Sequence, residues 1–338
     1  MRYKLGVLNK SLSLPRLFYT LAGTLVAVLA NGAELSLPNG DTYSGDLVDS
    51  QRHGQGVYQW REGNRYEGRF DKNRMHGEGT FTWSDGRNYT GDFVEDRREG
   101  FGLLVWKNGD KYEGGFSNNL LHGQGRFTWA NQDVYEGSFV DGRRSGTGNF
   151  VWASGAQYSG EFKNGVLHGA GTYRWEDGRE YLGQFDAGAK QGRGVFRWPN
   201  GNRYVGEFDA DLRTGQGIFY WRDGTIYKGI FEKGKQHGWG VKRQPEGPLD
   251  AQFWDAGTLI DSHRIEVVPR CALQDDGQAW MFHSDECLNG LAHGEGLAVS
   301  EDGDLIIPRA RIVLGKIVHG DAIEMPDESQ LDTPRIGD

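Results

Sequence analysis

The chain has 338 residues, with 38 Lys and Arg against 47 Asp and Glu for a formal net charge of −9, and it carries 53 glycines. An acidic chain without a dense basic stripe argues against nucleic-acid binding, which needs cations massed along a phosphate backbone. So much glycine would signal disorder if it were scattered; here most of it recurs at fixed places, which points to a repeat.

Taken in order, Arg2, Lys4, Lys10 and Arg16 lead into an apolar run over residues 17–30. A run of 14 residues suits the core of a secretory signal and is short for a membrane-spanning helix. Residues 1–30 are therefore expected to be a signal peptide, cleaved after Ala30 or Ala33, with an uncleaved N-terminal anchor as the alternative. No Cys follows the run, so a lipid anchor is not expected. Removing these residues, which hold four basic and no acidic side chains, would take the charge from −9 to −13. The mature protein would be exported and periplasmic or otherwise associated with the cell envelope. Residues 31–42 look like the second half of a repeat, ending in Asn39-Gly40, and are expected to cap the N-terminus.

From there Tyr recurs at 43, 66, 89, 112, 135, 158, 181, 204 and 227, every 23 residues without a slip. Each Tyr opens the same sentence. In one unit it reads Tyr66-Glu67-Gly68-x-Phe70, a short polar loop, His76-Gly77-x-Gly79, Phe81, Trp83, then Asp85-Gly86. Both Tyr-x-Gly-x-Phe and Gly79-Thr80-Phe81-Thr82-Trp83 alternate with period two, so each unit predicts two strands. The Asp-Gly or Asn-Gly between units supplies the positive φ of a tight hairpin turn. Gln132 takes the glycine place once, and a distorted turn is expected there. Units this small must stack to bury their apolar faces.

Trp60, Trp83, Trp106, Trp129, Trp152, Trp175, Trp198 and Trp221 hold one position in eight units, and with the Tyr and Phe series they predict aromatic ladders. Exposed rings for stacking sugars are the functional alternative. The paired glycines, such as Gly77 with Gly79, are expected to let backbone pass close to the rings.

Tyr-x-Gly-x-Phe-x-x-Gly-x-x-His-Gly-x-Gly at a 23-residue period resembles the membrane occupation and recognition nexus (MORN) repeat, over roughly 200 of the 338 residues. The resemblance implies a rod of stacked β-hairpins used for scaffolding, self-association and, in some members, lipid contact. The fold class expected is thus all-β: an elongated solenoid of stacked, twisted hairpins with N- and C-terminal caps.

The ninth unit ends near residue 243, where Gln244-Pro245-Glu246-Gly247-Pro248 breaks the pattern. Residues 244–324 are expected to form a C-terminal cap of degenerate repeats, because Gly290 to Gly296 and Asp302-Gly303 echo the motif. Cys271 and Cys287, the only cysteines, would form one disulfide in an exported chain, worth about 3 kcal/mol on the chain-entropy model; two unrelated thiols are the alternative. Residues 325–338 read as a loose tail.

Two side-chain series could carry chemistry. Just before the His-Gly position stand Arg52, Met75, Arg98, Leu121, Arg144, Leu167 and Lys190, alternately basic and apolar, and Arg213 and Gln236 then break the alternation. Arg52, Arg98, Arg144 and Lys190 would lie about 19 Å apart along one edge, able to meet an anionic lipid or cell-wall polymer, or merely be solvated. His53, His76, His122, His168 and His237 are expected to bond turns rather than metal, since other residues often replace them. No nucleophile elbow, phosphate loop or metal-protease motif is present. The expectation is a non-catalytic envelope scaffold without cofactor or metal, binding a protein partner or itself. Recognition of an anionic surface is the second reading, and a small hydrolase hidden after residue 243 the third.

Overall fold

The structure is a computed structural model, which describes residues 33–265, 274–275, 278–283, 287–288, 291–300, 303–313 and 316–325. The signal peptide expected at 1–30 and the Cys271–Cys287 bridge lie outside the described residues and side chains, as does the tail beyond Met325. All regular structure among the described residues is strand. Twenty-one strands form one open antiparallel sheet, each pairing with the next in chain order from Ala33–Ser36 to Thr258–Ile265.

Each unit supplies a seven-residue strand, such as Arg65–Asp71, and a nine-residue strand, such as Arg74–Thr82. Within a unit the two are joined by two residues that both have positive φ, Lys72 at 45° and Asn73 at 71° in this case. Turns of that hand match the right-handed twist of the flanking strands. The connection between units is longer: Trp83 N–H donates to Arg87 O and Gly86 N–H to Trp83 O, both at 3.0 Å. There only the glycine is left-handed, Gly86 at φ 95°. The tight two-residue turn therefore lies inside the unit, not at the Asp-Gly where the sequence places it.

Gln132 corrects a second expectation. It adopts φ 74° and donates to Trp129 O at 2.9 Å, as Gly109 does to Trp106 O. The turn is undistorted, because stacking holds a side-chain-bearing residue in a conformation that glycine takes freely.

The two glycines of His-Gly-x-Gly do different jobs. Gly68 pairs with Gly79 and Phe70 with Met75, so the second strand carries extra residues in a bulge. Gly77, at φ 64°, makes that bulge. Gly79 instead makes room: a Cβ there would stand 2.5 Å from Cε2 and 2.6 Å from Cζ of Tyr66. The Tyr ring thus lies flat across the Gly68–Gly79 pair. Its exposure is 0%, and Phe70 and Phe93 meet it edge-on at 5.1 Å. Its hydroxyl donates to Arg69 O at 2.9 Å, and Tyr43 through Tyr204 make the equivalent bond. Each Tyr thereby welds its own unit and packs on the Phe of the next.

The array does not stop at residue 243. Leu249–Asp255 and Thr258–Ile265 continue the sheet, although Asp250 and Gln252 stand where Tyr and Gly would. Gln252 is only 6% exposed. A second, six-stranded antiparallel sheet includes Gly294–Ser300 and Leu305–Val313. It does not extend the array. It packs across the back of the last strands, where Val241, Leu249 and Ala251 share one buried cluster with Leu297, Val299, Ile306 and Met325. An ion pair between Lys228 and Asp304 and a bond from Gln216 Nε2 to Glu324 O at 3.1 Å pin it. Met325, expected to begin a loose tail, is 3% exposed within this cluster.

Candidate binding face: an aromatic ribbon crossed by cations

Period-two alternation divides every strand between two faces. The back face carries the residues between the motif positions, such as Glu67, Thr80, Glu113 and Arg126. It is mixed: polar and charged residues stand beside exposed apolar ones, among them Val48 at 53% exposure, Phe101 at 59%, Leu103 at 40% and Leu120 at 46%. The front face carries the Tyr and Phe core. The eight tryptophans of the series Trp60 to Trp221 lie along its margin, partly buried against that core.

These tryptophans and the aromatic two residues before each form a continuous line. Phe127 and Trp129 approach at 4.4 Å, Trp129 and Phe150 at 5.2 Å, Phe150 and Trp152 at 4.4 Å, and Trp152 and Tyr173 at 5.1 Å. Tilted pairs at such distances are each worth about 0.5–1.5 kcal/mol beyond burial. The line runs from Tyr58 to Trp221, with Leu104 the one aliphatic member. Because one side of each indole rests on the core, the ladder is structural first. The other side forms a long, partly exposed apolar strip.

The cations are placed by register. Leu47 pairs with Arg52, Phe93 with Arg98, Phe139 with Arg144 and Phe185 with Lys190. The residue before His-Gly therefore points to the same side as Phe, and the basic series lies over the front core, not on a solvated edge. Arg98 sits 5.4–5.6 Å from the rings of Trp83, Tyr89 and Phe116. Arg144 sits 5.0–5.7 Å from Trp129, Tyr135, Phe150 and Phe162. Each guanidinium also donates to a carbonyl of the next unit's turn: Arg52 to Asn73 O at 2.8 Å, Arg98 to Asn119 O at 2.6 Å, and Arg144 to Gly165 O at 2.5 Å. Lys190 is paired with Asp211 at 2.5 Å and its side chain is 14% exposed.

Arg213 belongs to the same ladder. It pairs with Phe208, lies 5.3–5.7 Å from Tyr204, Phe219 and Phe231, and donates to Gly234 O at 2.6 Å. In the sequence it only interrupts an alternation. Its offset from the preceding Phe was the signal that assigns it. Burial pulls Arg98, Arg144 and Arg213 below the ordinary guanidinium value, against a smaller upward pull from Tyr89, Tyr135 and Tyr204 respectively.

Of the five histidines expected to bond turns, His237 accepts the turn N–H of Ala256 at 3.5 Å, and three lie beside a carboxylate of the next unit. His53 Nδ1 lies 3.4 Å from Asp71, His168 Nδ1 3.2 Å from Asp186 and His237 Nδ1 3.5 Å from Asp255, each at the end of the next unit's first strand. Among the described residues no three His, Cys, Asp or Glu side chains converge as a metal site.

An open antiparallel meander with one aromatic face and a fixed hairpin period is a β-repeat array. The MORN repeat model matches residues 43–65, 66–86, 89–111, 112–134, 135–157, 158–178, 181–203, 204–226, 227–247 and 288–305. The chain belongs to the MORN repeat family. The tenth match overlaps the second sheet at Gly294–Ser300, after which Gly303 N–H donates to Ser300 O at 2.8 Å as the glycines of the unit boundaries do. No curated protein is similar enough to count as a relative.

Several solved structures are loosely similar. The TCP domain of Drosophila melanogaster SAS-4, in complex with a proline-rich motif of Ana2, is 12% identical, with a TM-score of 0.31, and the match covers 56% of this chain and 97% of that one. The wild-type TCP10 domain of Danio rerio CPAP is 14% identical at a TM-score of 0.28, covering 68% and 99%. Virginiamycin B lyase from Staphylococcus aureus is 9% identical at 0.14, covering 73% and 89%. Superpositions this loose carry no functional reading.

Proposed function

We propose that the chain is a non-catalytic scaffold of the cell envelope that binds a protein partner, or a second copy of itself, through the front face of the hairpin array. Membership of the MORN repeat family supports a scaffold. The observation that carries the choice of face is the strip of partly buried tryptophans, Trp60 to Trp221. Rings that are half-covered by their own fold and half-open are suited to pack against another surface, since aromatic anchors dominate protein interfaces. Placement in the envelope is part of the same reading and rests on the basic and then apolar stretch of residues 2–30. The cations expected to meet an anionic surface lie over rings and turn carbonyls, so protein recognition stands ahead of lipid or polymer recognition.

The test is co-purification from solubilised envelopes, with the chain as bait beside a Trp106→Ala/Trp129→Ala/Trp152→Ala variant whose strand content is confirmed by circular dichroism. A protein retained by the first and lost from the second supports the reading, as does concentration-dependent dimerisation lost in the variant. Identical profiles and a monomeric chain in both overturn it.

A further inference from the structure

Three cations of the front face, Arg98, Arg144 and Arg213, bond turn carbonyls and have no ion pair to a carboxylate among the described residues. The chain has 47 acidic side chains, and Asp41 feels the charge of Arg52, yet Arg52, Arg98, Arg144 and Arg213 each meet a turn whose nearest residue is neutral. That residue is Asn73, Asn119, Gly165 or Gly234, and each guanidinium bonds its carbonyl. The same turn position does hold a carboxylate elsewhere. Asp96 accepts the backbone N–H of Met75 at 2.8 Å, and Asp211 binds Lys190. Asp is therefore compatible with this turn, and it faces Met75 and Lys190 but none of the four arginines.

We infer that Arg98, Arg144 and Arg213, set among the aromatic rings of the front face, receive an extended acidic segment of a protein partner. This rests on the proposed binding function and names the chemistry of what is bound. Each guanidinium spends one N–H on a turn carbonyl and lays its plane among aromatic rings, which leaves further donors in the fork geometry that matches a carboxylate. Half-burial strengthens a charge-assisted bond at such a site relative to one in water. A flat bilayer cannot reach cations lying down among rings, whereas single side chains projecting from an extended peptide can. Arg98 and Arg144 stand two units apart and Arg144 and Arg213 three, so the three span ten strand spacings, about 48 Å. An extended peptide of roughly 15 residues covers that distance.

The experiment measures anisotropy of labelled peptides of that length against the full chain: one rich in Glu and Asp, one of Ser and Gly, one rich in Lys, and one neutral but aromatic. The acidic peptide should bind at least tenfold more tightly than the others at low salt and weaken steeply as salt rises. Arg98→Met, Arg144→Met and Arg213→Met should each weaken it about tenfold. Folding should survive these changes because Met75 already occupies the same position. Leu121→Arg and Leu167→Arg, which add cations at two intervening units, should tighten it. Equal affinity for acidic and Ser/Gly peptides, or acidic affinity unchanged in the triple Met variant, overturns the inference. Tight binding of the aromatic neutral peptide with no advantage for the acidic one would overturn it while leaving the protein-binding function standing. Arginine-dependent binding to phosphatidylserine vesicles with no peptide binding would overturn both.

Discussion

Gly79→Ala separates two accounts of the repeat glycines because they predict opposite signs. Gly79 lies in a strand without a positive φ, so backbone entropy alone predicts that alanine stabilises, by about 0.5–1 kcal/mol. The structure predicts the reverse. The new methyl would stand 2.5–2.6 Å from carbons of the Tyr66 ring, and that ring cannot retreat because Phe70 and Phe93 hold it at 5.1 Å from either side. Overpacking of this kind costs about 1–3 kcal/mol, and lifting the ring also breaks the hydroxyl bond to Arg69 O, worth about 1 kcal/mol. Net of the entropy gain, a loss of about 1–3 kcal/mol is expected. Because repeat arrays open locally, the assay is native-state hydrogen exchange resolved by residue. Protection should fall over residues 65–82 and hold beyond residue 112. Gly123→Ala is the control: no atom lies within 4 Å of its added Cβ, and only its φ of 69° resists. Protection over residues 65–82 that is unchanged or higher in Gly79→Ala would refute the flat-ring account.

Gln132→Gly should stabilise the array by about 1 kcal/mol, by relieving a left-handed residue with a Cβ; a urea midpoint that stays or falls would contradict this. Burial pushes the hydroxyls of Tyr112 and Tyr135 up to about 12. Folded tyrosine thus keeps its proton where the unfolded chain, titrating near ~10, has lost it. That contribution to stability is complete below the unfolded value and is lost as pH rises from there toward the folded one. Tyrosinate absorbance should accordingly rise together with loss of strand signal, and smooth ionisation of an intact sheet would be the contrary result. Ile306→Ala, in the cluster joining the second sheet to the array, should cost about 2–5 kcal/mol. The loss should appear as exchange confined to residues 241–325, and a uniform loss along the array would argue against local docking.

How far the chain could be read in advance depended on whether the controlling contact was local. The 23-residue period, the two strands per unit, the aromatic ladders and the stacking followed from alternation and from glycine chemistry, which act over a few residues. Four features escaped it. Two-residue turns at Lys72-Asn73 and its equivalents vary from unit to unit, and although Asp141-Gly142 and Asn164-Gly165 do announce a left-handed pair, the more regular Asp-Gly connection took their place in the reading. Gln132 was expected to bend its turn because sequence records the cost of a left-handed side chain but not the neighbours that impose it. The last array strands and the docked second sheet were hidden because Val241, Leu249 and Ala251 meet Leu297, Val299 and Ile306 only across a long separation in the chain.

The candidate face divides in the same way. Which residues are cations, and that they precede His-Gly, was visible in the residues themselves. Whether they point to solvent or over the core depended on a cross-strand partner, because one residue of register carries a side chain from one face to the other. Pairing with Phe93, Phe139 and Phe208 turned Arg98, Arg144 and Arg213 inward. The sequence alone determined a modular array with an aromatic face, because its signals repeat within each unit. Only the tertiary structure decided where the cations lie and what the chain's last third covers, because those depend on pairings between units and between sheets.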